Sequence, residues 1–364
     1  MKTKLTSLNF IRAAACMGVF TFHCYISHLG AWAVSVFIMM SGFLLVYNGL
    51  DRADSFPEGA KACAGYAFKK IRKLYPLYFI TLIALILRIV ILAPENPPVD
   101  ELIHFGKQFV FDFLLIQSWP MGTDYAFSHN AVGWYLSTAI FLYFTFPYIL
   151  RRIKRLSGVK QAFRWVLIIF ALMIVTAVLA SVFYDNAGSL LPDSVIGFKQ
   201  WFVQVFPLYR LGDFAIGCLL GYIFSVVPKD KFNRAKTTAL EILAIAATVL
   251  AQIAFNKSLV PEILSYNVLY IPANALLIYS FALGSGRIST ILDGRISSFF
   301  ADYSTEIFLT HFAVIKFASP FATVLPVPFH IQQYCFLFFA IIATLLCVYL
   351  YRSFSRRFPF FSVR

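Results

Sequence analysis

Charge is scarce in this sequence. Only 13% of its 364 residues are Asp, Glu, Lys or Arg, and the acidic ones number 17 against 31 basic ones. With 60% apolar residues and a mean hydropathy of +0.76, the chain has too little polar material to clothe a water-soluble globule of this size. Most of its surface has to meet lipid or other helices. Cysteine is sparse too: Cys16, Cys24, Cys63, Cys218, Cys335 and Cys347 form no CxxC pair and no His-rich cluster. Most of them lie in apolar runs, where a thiol acts as a small hydrophobe, so neither a disulfide framework nor a metal site is expected. Internal repeats, low-complexity tracts and a separable soluble region are also lacking, and one membrane domain over 1–364 accounts for the chain. The first 29 residues carry lysines ahead of an apolar run but include Arg12 and His23 and lack a small-residue cleavage pattern. They read as a retained first span, not a leader.

What the chain has in abundance is apolar length. Stretches able to cross a hydrocarbon core of roughly 30 Å occur near 8–28, 31–50, 74–93, 131–150, 165–184, 207–227, 237–255, 264–283, 299–318 and 333–351. The fold class expected is all-α, a polytopic membrane protein of about ten transmembrane helices. With the N-terminus inside, 24 of the 31 Lys and Arg fall in the inner segments 1–7, 51–73, 151–164, 228–236, 284–298 and 352–364. Such a bias puts both termini in the cytoplasm and makes the net charge of +14 a topology signal. A nucleic-acid partner is excluded on the same ground; the partner to expect is the lipid bilayer of the cell's inner membrane, crossed many times. Residues 94–130 break the pattern, because the apolar piece Phe109 to Trp119 is too short to span. It is expected to be re-entrant or interfacial on the outer face.

Ionisable side chains at membrane depth cost a few kcal/mol each, so each needs a partner, a cavity or a function. Arg12 and His23 stand eleven positions apart, which is three helical turns plus about 20°, hence one face and roughly 16 Å. Snorkelling for Arg12 and helix packing for His23 are the plain alternatives. In the second span Ser41-Gly42 allows a helix or a ligand to approach the backbone closely. Lys69, Lys70, Arg72 and Lys73 precede Tyr75-Pro76 as a tight cationic group that suits anionic lipid or the phosphates of a cytosolic cofactor. Trp134 and Tyr135 open a span where interfacial aromatics are common. Arg210 and Asp213 are three apart and can pair. Glu306, Thr310 and His311 line the ninth span, His311 near mid-depth.

In identity and order these features resemble the acyltransferase-3 family of integral membrane acyltransferases, which includes O-acetyltransferases of bacterial surface polysaccharides. Asn9-Phe10-Ile11-Arg12 followed by His23 is similar to the family's first-helix Arg and His pair, and Phe37 to Phe43 resembles its Ser-Gly-Phe-Leu stretch. Lys70 to Tyr78 matches the basic pair ahead of Tyr-Pro, with lysines where arginines are usual. Trp134-Tyr135-Leu136 to Phe146-Pro147, Leu208 to Gly217, and Tyr303-Ser304 to Thr310-His311 look like three further blocks. Two departures stand out: Ala139 replaces a glutamate that many members carry five residues after the Trp, and Glu306 occupies a position expected to be small or apolar.

The resemblance implies an O-acyltransferase that moves an acyl group, most simply acetyl, from acetyl-CoA to a hydroxyl of a glycan or lipid-linked sugar. Acyl transfer to a hydroxyl needs a base, a donor to the developing oxyanion and exclusion of water. On this basis His23 is expected to be the general base and Arg12 to hold the donor on the same helix face. Lys69, Lys70, Arg72, Lys73, Tyr75, Ser41 and Gly42 are expected to bind the acyl-CoA. Trp134, Tyr135, Arg210, Asp213, Glu306 and His311 are expected on the acceptor side, Glu306 as a local substitute for the acid missing at Ala139. A secondary transporter or a lipid-linked glycan flippase are the rival readings; the first calls for an inverted repeat and the second for large outer loops.

Overall fold

A backbone surrounded by hydrocarbon has to satisfy its own hydrogen bonds, and long apolar runs do so as helices. The computed structural model describes residues 4–187, 195, 197–321 and 329–357, and all regular structure among them is helical. The principal helices are α1 (Leu8–His23), α2 (Gly30–Gly49), α3 (Ala60–Ile71), α4 (Tyr75–Leu92), α5 (Val99–Leu114) and α6 (Gly133–Lys154). They continue as α7 (Val159–Ala187), α8 (Pro207–Val226), α9 (Arg234–Asn256), α10 (Ile271–Leu283), α11 (Arg295–Ala318) and α12 (Phe329–Arg357). Prolines stand in the first turns of α4, α8 and α10, where a missing N–H costs nothing. The Asn233 side chain caps α9 by accepting from the Lys236 N–H at 2.9 Å.

The chain is an all-α polytopic membrane protein. Each of the ten apolar stretches contains a helix, and seven helices are long and apolar enough to cross a bilayer. The remaining stretches form α1 and α10, of 16 and 13 residues, and α11, which carries Asp302, Glu306 and Lys316. Residues 1–3 and 358–364, which hold the termini placed inside by the charge pattern, lie outside the described residues. Burial sorts the helices: 78% of the apolar stretch of α2 is buried, against 17% for α7 and α9. A hydrophobic run buried all round belongs at the centre of the bundle, and one exposed on most sides belongs against lipid.

The centre is built on glycine. A Cβ at Gly42 would sit 2.3 Å from the Phe214 carbonyl oxygen, one at Gly217 2.0 Å from that of Met39, and one at Gly221 2.5 Å from that of Phe43. Helices α2 and α8 therefore touch backbone to backbone over about two turns of α8, as small residues permit in membranes.

At one end of the bundle the basic loops collect and are tied to one another. Thr6 donates to Asp293 at 2.5 Å, Ser7 to the Phe281 carbonyl at 2.6 Å and Arg151 to the Pro57 carbonyl at 2.8 Å, and Lys154 pairs with Asp54. At the other end the Gln252 amide reaches the His28 carbonyl at 3.4 Å and Lys199 pairs with Asp185 at 2.6 Å.

The segment 94–130 differs in detail from its expectation. The apolar piece Phe109 to Trp119 is not one unit: its first half completes α5, and the chain reverses at Leu115, a left-handed residue with φ 54°. This reversal is held against α4, where Tyr75 and Tyr78 donate to the Phe113 and Asp112 carbonyls, both at 2.9 Å.

Candidate functional site

Helices α1 and α11 run side by side in the same direction. Their register is set by Asn9 donating to Ser298 at 3.2 Å, by the Cys16 thiol reaching the Ser304 carbonyl at 3.9 Å, and by Phe20 against His311 with ring centroids 5.4 Å apart. One turn farther, His23 meets His311 at 5.2 Å and Phe312 at 5.1 Å between centroids. His23 is half-buried; His311 is buried, with its Nδ1 2.8 Å from the Phe308 carbonyl oxygen and 3.1 Å from that of Ile307. The two membrane histidines singled out in the sequence are thus neighbours, brought together by a parallel helix pair.

The same face of α1 carries Arg12, half-buried, in electrostatic contact with Tyr135 and Tyr143 of α6 and Asp302 of α11. Tyr135 and Tyr143 both hydrogen-bond with Ser41, whose hydroxyl also donates to the Phe37 carbonyl at 2.8 Å. Around these hydroxyls lies a narrow pocket lined by Ile38, Ser41, Tyr135, Ala139, Leu142, Tyr143 and Phe214. Ala139, where the resemblance led one to expect a carboxylate, lines this space. Phe308 packs on Tyr135 at 5.1 Å and approaches His311 at 5.9 Å, so one phenyl ring bridges a pocket-lining tyrosine and the buried histidine.

Lys69, Lys70, Arg72 and Lys73 reach solvent at the end of α3 and in the turn after it, Lys70 with its ammonium partly desolvated over Tyr66. Lys70 lies over the Tyr66 ring at 5.5 Å, and Tyr66 stacks on Phe146. The basic group is therefore packed against α6 through Tyr66 and Phe146. Partial burial, then the neighbouring Lys73 and Lys69, hold the Lys70 ammonium below its ordinary value of 10.5.

Several residues expected at the site have other engagements. Tyr75 anchors the reversal after α5 through Phe113, and Gly42 packs α2 on α8. Glu306, buried, accepts from Arg352 of α12 at 2.6 and 2.7 Å and is not among the residues lining the Ala139 pocket. Arg210 and Asp213 pair at 3.0 Å, both within 1% of full burial, and Asp213 also accepts from Asn267 at 2.8 Å and Ser35 at 3.3 Å. Arg210 lies within electrostatic reach of Tyr135, and Trp134 is buried with its carbonyl taken by Ser118.

Other functional candidates escaped the sequence reading. Tyr66, Tyr143 and Asp302 sit on separate segments, and only packing relates them to Arg12 and Lys70. Asp112 and His129 form a buried pair at 2.8 Å, with Ser128 donating to the same carboxylate at 2.9 Å; together they close α5 onto the approach to α6. Their spacing of seventeen residues across an irregular loop carries no periodic signal.

Residues 5–352 match the acyltransferase-3 family model, described as an acyltransferase domain. The chain is also 25% identical to acyltransferase MdmB of Streptomyces mycarofaciens over 331 residues, covering 86% of this chain and 80% of that protein. No solved structure matches it. Carrying the Arg12 and His23 helix in its first span and matched over nearly its whole length, the chain belongs to the acyltransferase-3 family, the membrane-embedded acyltransferases.

Proposed function

We propose that this protein is an O-acyltransferase that carries an acyl group, most simply acetyl, from cytosolic acyl-CoA to a hydroxyl of a glycan or lipid-linked sugar outside. It sits in the cell's inner membrane with the basic end of the bundle in the cytoplasm, and one domain does the work. The observation that carries this reading is the shared orientation of Arg12 and His23, which face α6 and α11 rather than lipid.

Lys69, Lys70, Arg72 and Lys73 receive the phosphates of the donor, because compact ammonium groups and a guanidinium suit several phosphate oxygens at once. The pantetheine arm passes the hydroxyls of Ser41, Tyr135 and Tyr143, with Arg12 donating to its carbonyl groups. Among the described residues no carboxylate forms an ion pair with Arg12, so its donors remain available. The acceptor enters from the opposite end, bounded by Trp134, Tyr135 and the Arg210–Asp213 pair.

At His23 the acceptor O–H breaks as its oxygen bonds to the acyl carbon, and the imidazole takes the proton. The C–S bond then opens, the sulfur takes the proton, and an ester and free CoA leave. Apolar walls from Phe20, Phe308 and Phe312 exclude the water that would hydrolyse the thioester.

Membranes given radiolabelled acetyl-CoA and the host's glycan fraction test the reading. Wild type should label the glycan, and His23→Ala, inserted normally, should lose at least about 100-fold in rate, the usual worth of a positioned base. Wild-type turnover in His23→Ala would refute it.

A further inference from the structure

We infer that His311 is a positioning residue for the transfer: its Nε2 accepts the second N–H of the His23 imidazolium, a task that a carboxylate performs in other acyl-transfer sites. The inference rests on the reading that His23 is the base.

The protonation state of His311 follows from its partners. Its Nδ1 lies 2.8 Å from the Phe308 carbonyl oxygen and 3.1 Å from that of Ile307. A carbonyl oxygen can only accept, so Nδ1 carries the hydrogen, and in the neutral ring Nε2 is left with a bare lone pair. That Nε2 is buried and has no hydrogen-bond partner among the described residues. An orphan acceptor in a dry interior is disfavoured and calls for a donor that arrives during function.

His23 supplies that donor at the right separation. Two imidazoles joined by an in-line N–H···N bond of about 2.9 Å have centroids about 5.3 Å apart, since each ring nitrogen lies about 1.2 Å from its centroid. The two rings here are 5.2 Å apart and inclined at 50°. Alignment requires rotation of the His23 ring about its side-chain bonds, while His311 keeps its contacts with the Phe308 and Ile307 carbonyls.

Among the described residues, the buried carboxylates that could compete are already engaged or absent. The groups that act electrostatically on His23 are His311 and the cation Lys316. Glu306 is held by Arg352, Asp213 by Arg210, and position 139 is an alanine. When one nitrogen of His23 takes the acceptor's proton, the hydrogen on its other nitrogen is shared with His311 Nε2. The positive charge is thereby steadied without a buried anion. When the C–S bond breaks, the proton passes from His23 to the CoA sulfur, and both imidazoles return to the neutral state.

The test measures CoA thiol release from acetyl-CoA with the host glycan fraction, in wild type, His23→Ala, His311→Phe, His311→Gln and the His23→Ala/His311→Phe double variant. His311→Phe keeps the ring contacts with Phe20 and Phe308 but loses the nitrogen. It should lower kcat about 100-fold while leaving the acetyl-CoA KM within about twofold, because the contact forms only as charge develops. His311→Gln, whose amide oxygen can accept, should recover about tenfold of that loss. The double variant should be no slower than His23→Ala alone, since the two side chains act as one unit. A wild-type kcat in His311→Phe, losses that multiply in the double variant, or a His311→Gln as slow as His311→Phe with both melting like wild type, would each overturn the inference while leaving His23 as base. Wild-type release from His23→Ala would instead remove the base assignment itself.

Discussion

Arg12 is the residue on which donor binding turns. A guanidinium half-buried among tyrosine hydroxyls has given up part of its hydration, and no ion pair among the described residues replaces it. A polar arm passing the pocket supplies the missing acceptors, so Arg12→Ala should raise the acyl-CoA KM by about tenfold or more, a loss of roughly 1.5–3 kcal/mol for a hydrogen bond to a charged group. Arg12→Lys should recover only part, because an ammonium cannot span two acceptors as a planar fork does. Steady-state kinetics with varied acyl-CoA decides this, and an unchanged KM in Arg12→Ala would separate Arg12 from the donor. Glu306 makes the opposite case. Engaged by Arg352 and absent from the lining of the Ala139 pocket, it serves the packing of α12 on α11. Glu306→Ala should lower the melting temperature, by leaving Arg352 without its partner, and keep transfer near wild type. Loss of transfer at an unchanged melting temperature would restore Glu306 as the substitute acid.

Among the elements, the α2–α8 contact is the least tolerant of change. Gly217 has the Met39 carbonyl oxygen 2.0 Å from where a Cβ would be, and backbone cannot yield as a flexible side chain can. Gly217→Val should force the helices apart, with a cost of about 1–3 kcal/mol or more for overpacking. Size-exclusion profiles of detergent-solubilised protein should show loss of the monodisperse peak; a normal profile and normal melting would show that the helices can slide. Ser41-Gly42 illustrates why one dipeptide reads ambiguously in sequence. Both residues are small, yet the serine looks into the pocket and the glycine into a helix seam, because neighbours on a helix are 100° apart. The parallel pairing of α1 with α11 is the other decisive element-level feature. Their residues are nearly three hundred positions apart in sequence, and their register alone sets His23 beside His311.

At the scale of the whole molecule, the basic end gives the protein a field as well as a topology. Lys69, Lys70, Arg72 and Lys73 crowd one another, and Lys70 is held below its ordinary value by burial and by its like-charged neighbours. As pH rises Lys70 therefore loses its proton before a free lysine does. Donor phosphates favour the protonated form, so binding takes up a proton and the acyl-CoA KM should climb as pH approaches the ordinary lysine range. In Lys70→Met the KM should be higher at neutral pH and flatter with pH, by about fivefold if each such charge is worth about 1 kcal/mol. A pH profile of KM identical in the two proteins would sever Lys70 from donor binding.

How much of this protein was legible in its sequence depends on the range of the interaction concerned. Lipid cannot hydrogen-bond a backbone, so apolar length alone imposed helices in all ten predicted stretches, and the scarcity of charge alone marked a membrane protein. The pairing of Arg210 with Asp213 and the common face of Arg12 and His23 were legible too, because helical periodicity governs residues within one segment. What packs against that face was decided by the tertiary structure. The register of α1 on α11 chose His311 as the neighbour of His23, the packing of α6 beside α2 made Ser41, Tyr135 and Tyr143 one wall, and the docking of α12 gave Glu306 to Arg352. Those contacts join segments far apart along the chain, and their energy lies in the fit of whole helix surfaces, which no local pattern of residues encodes.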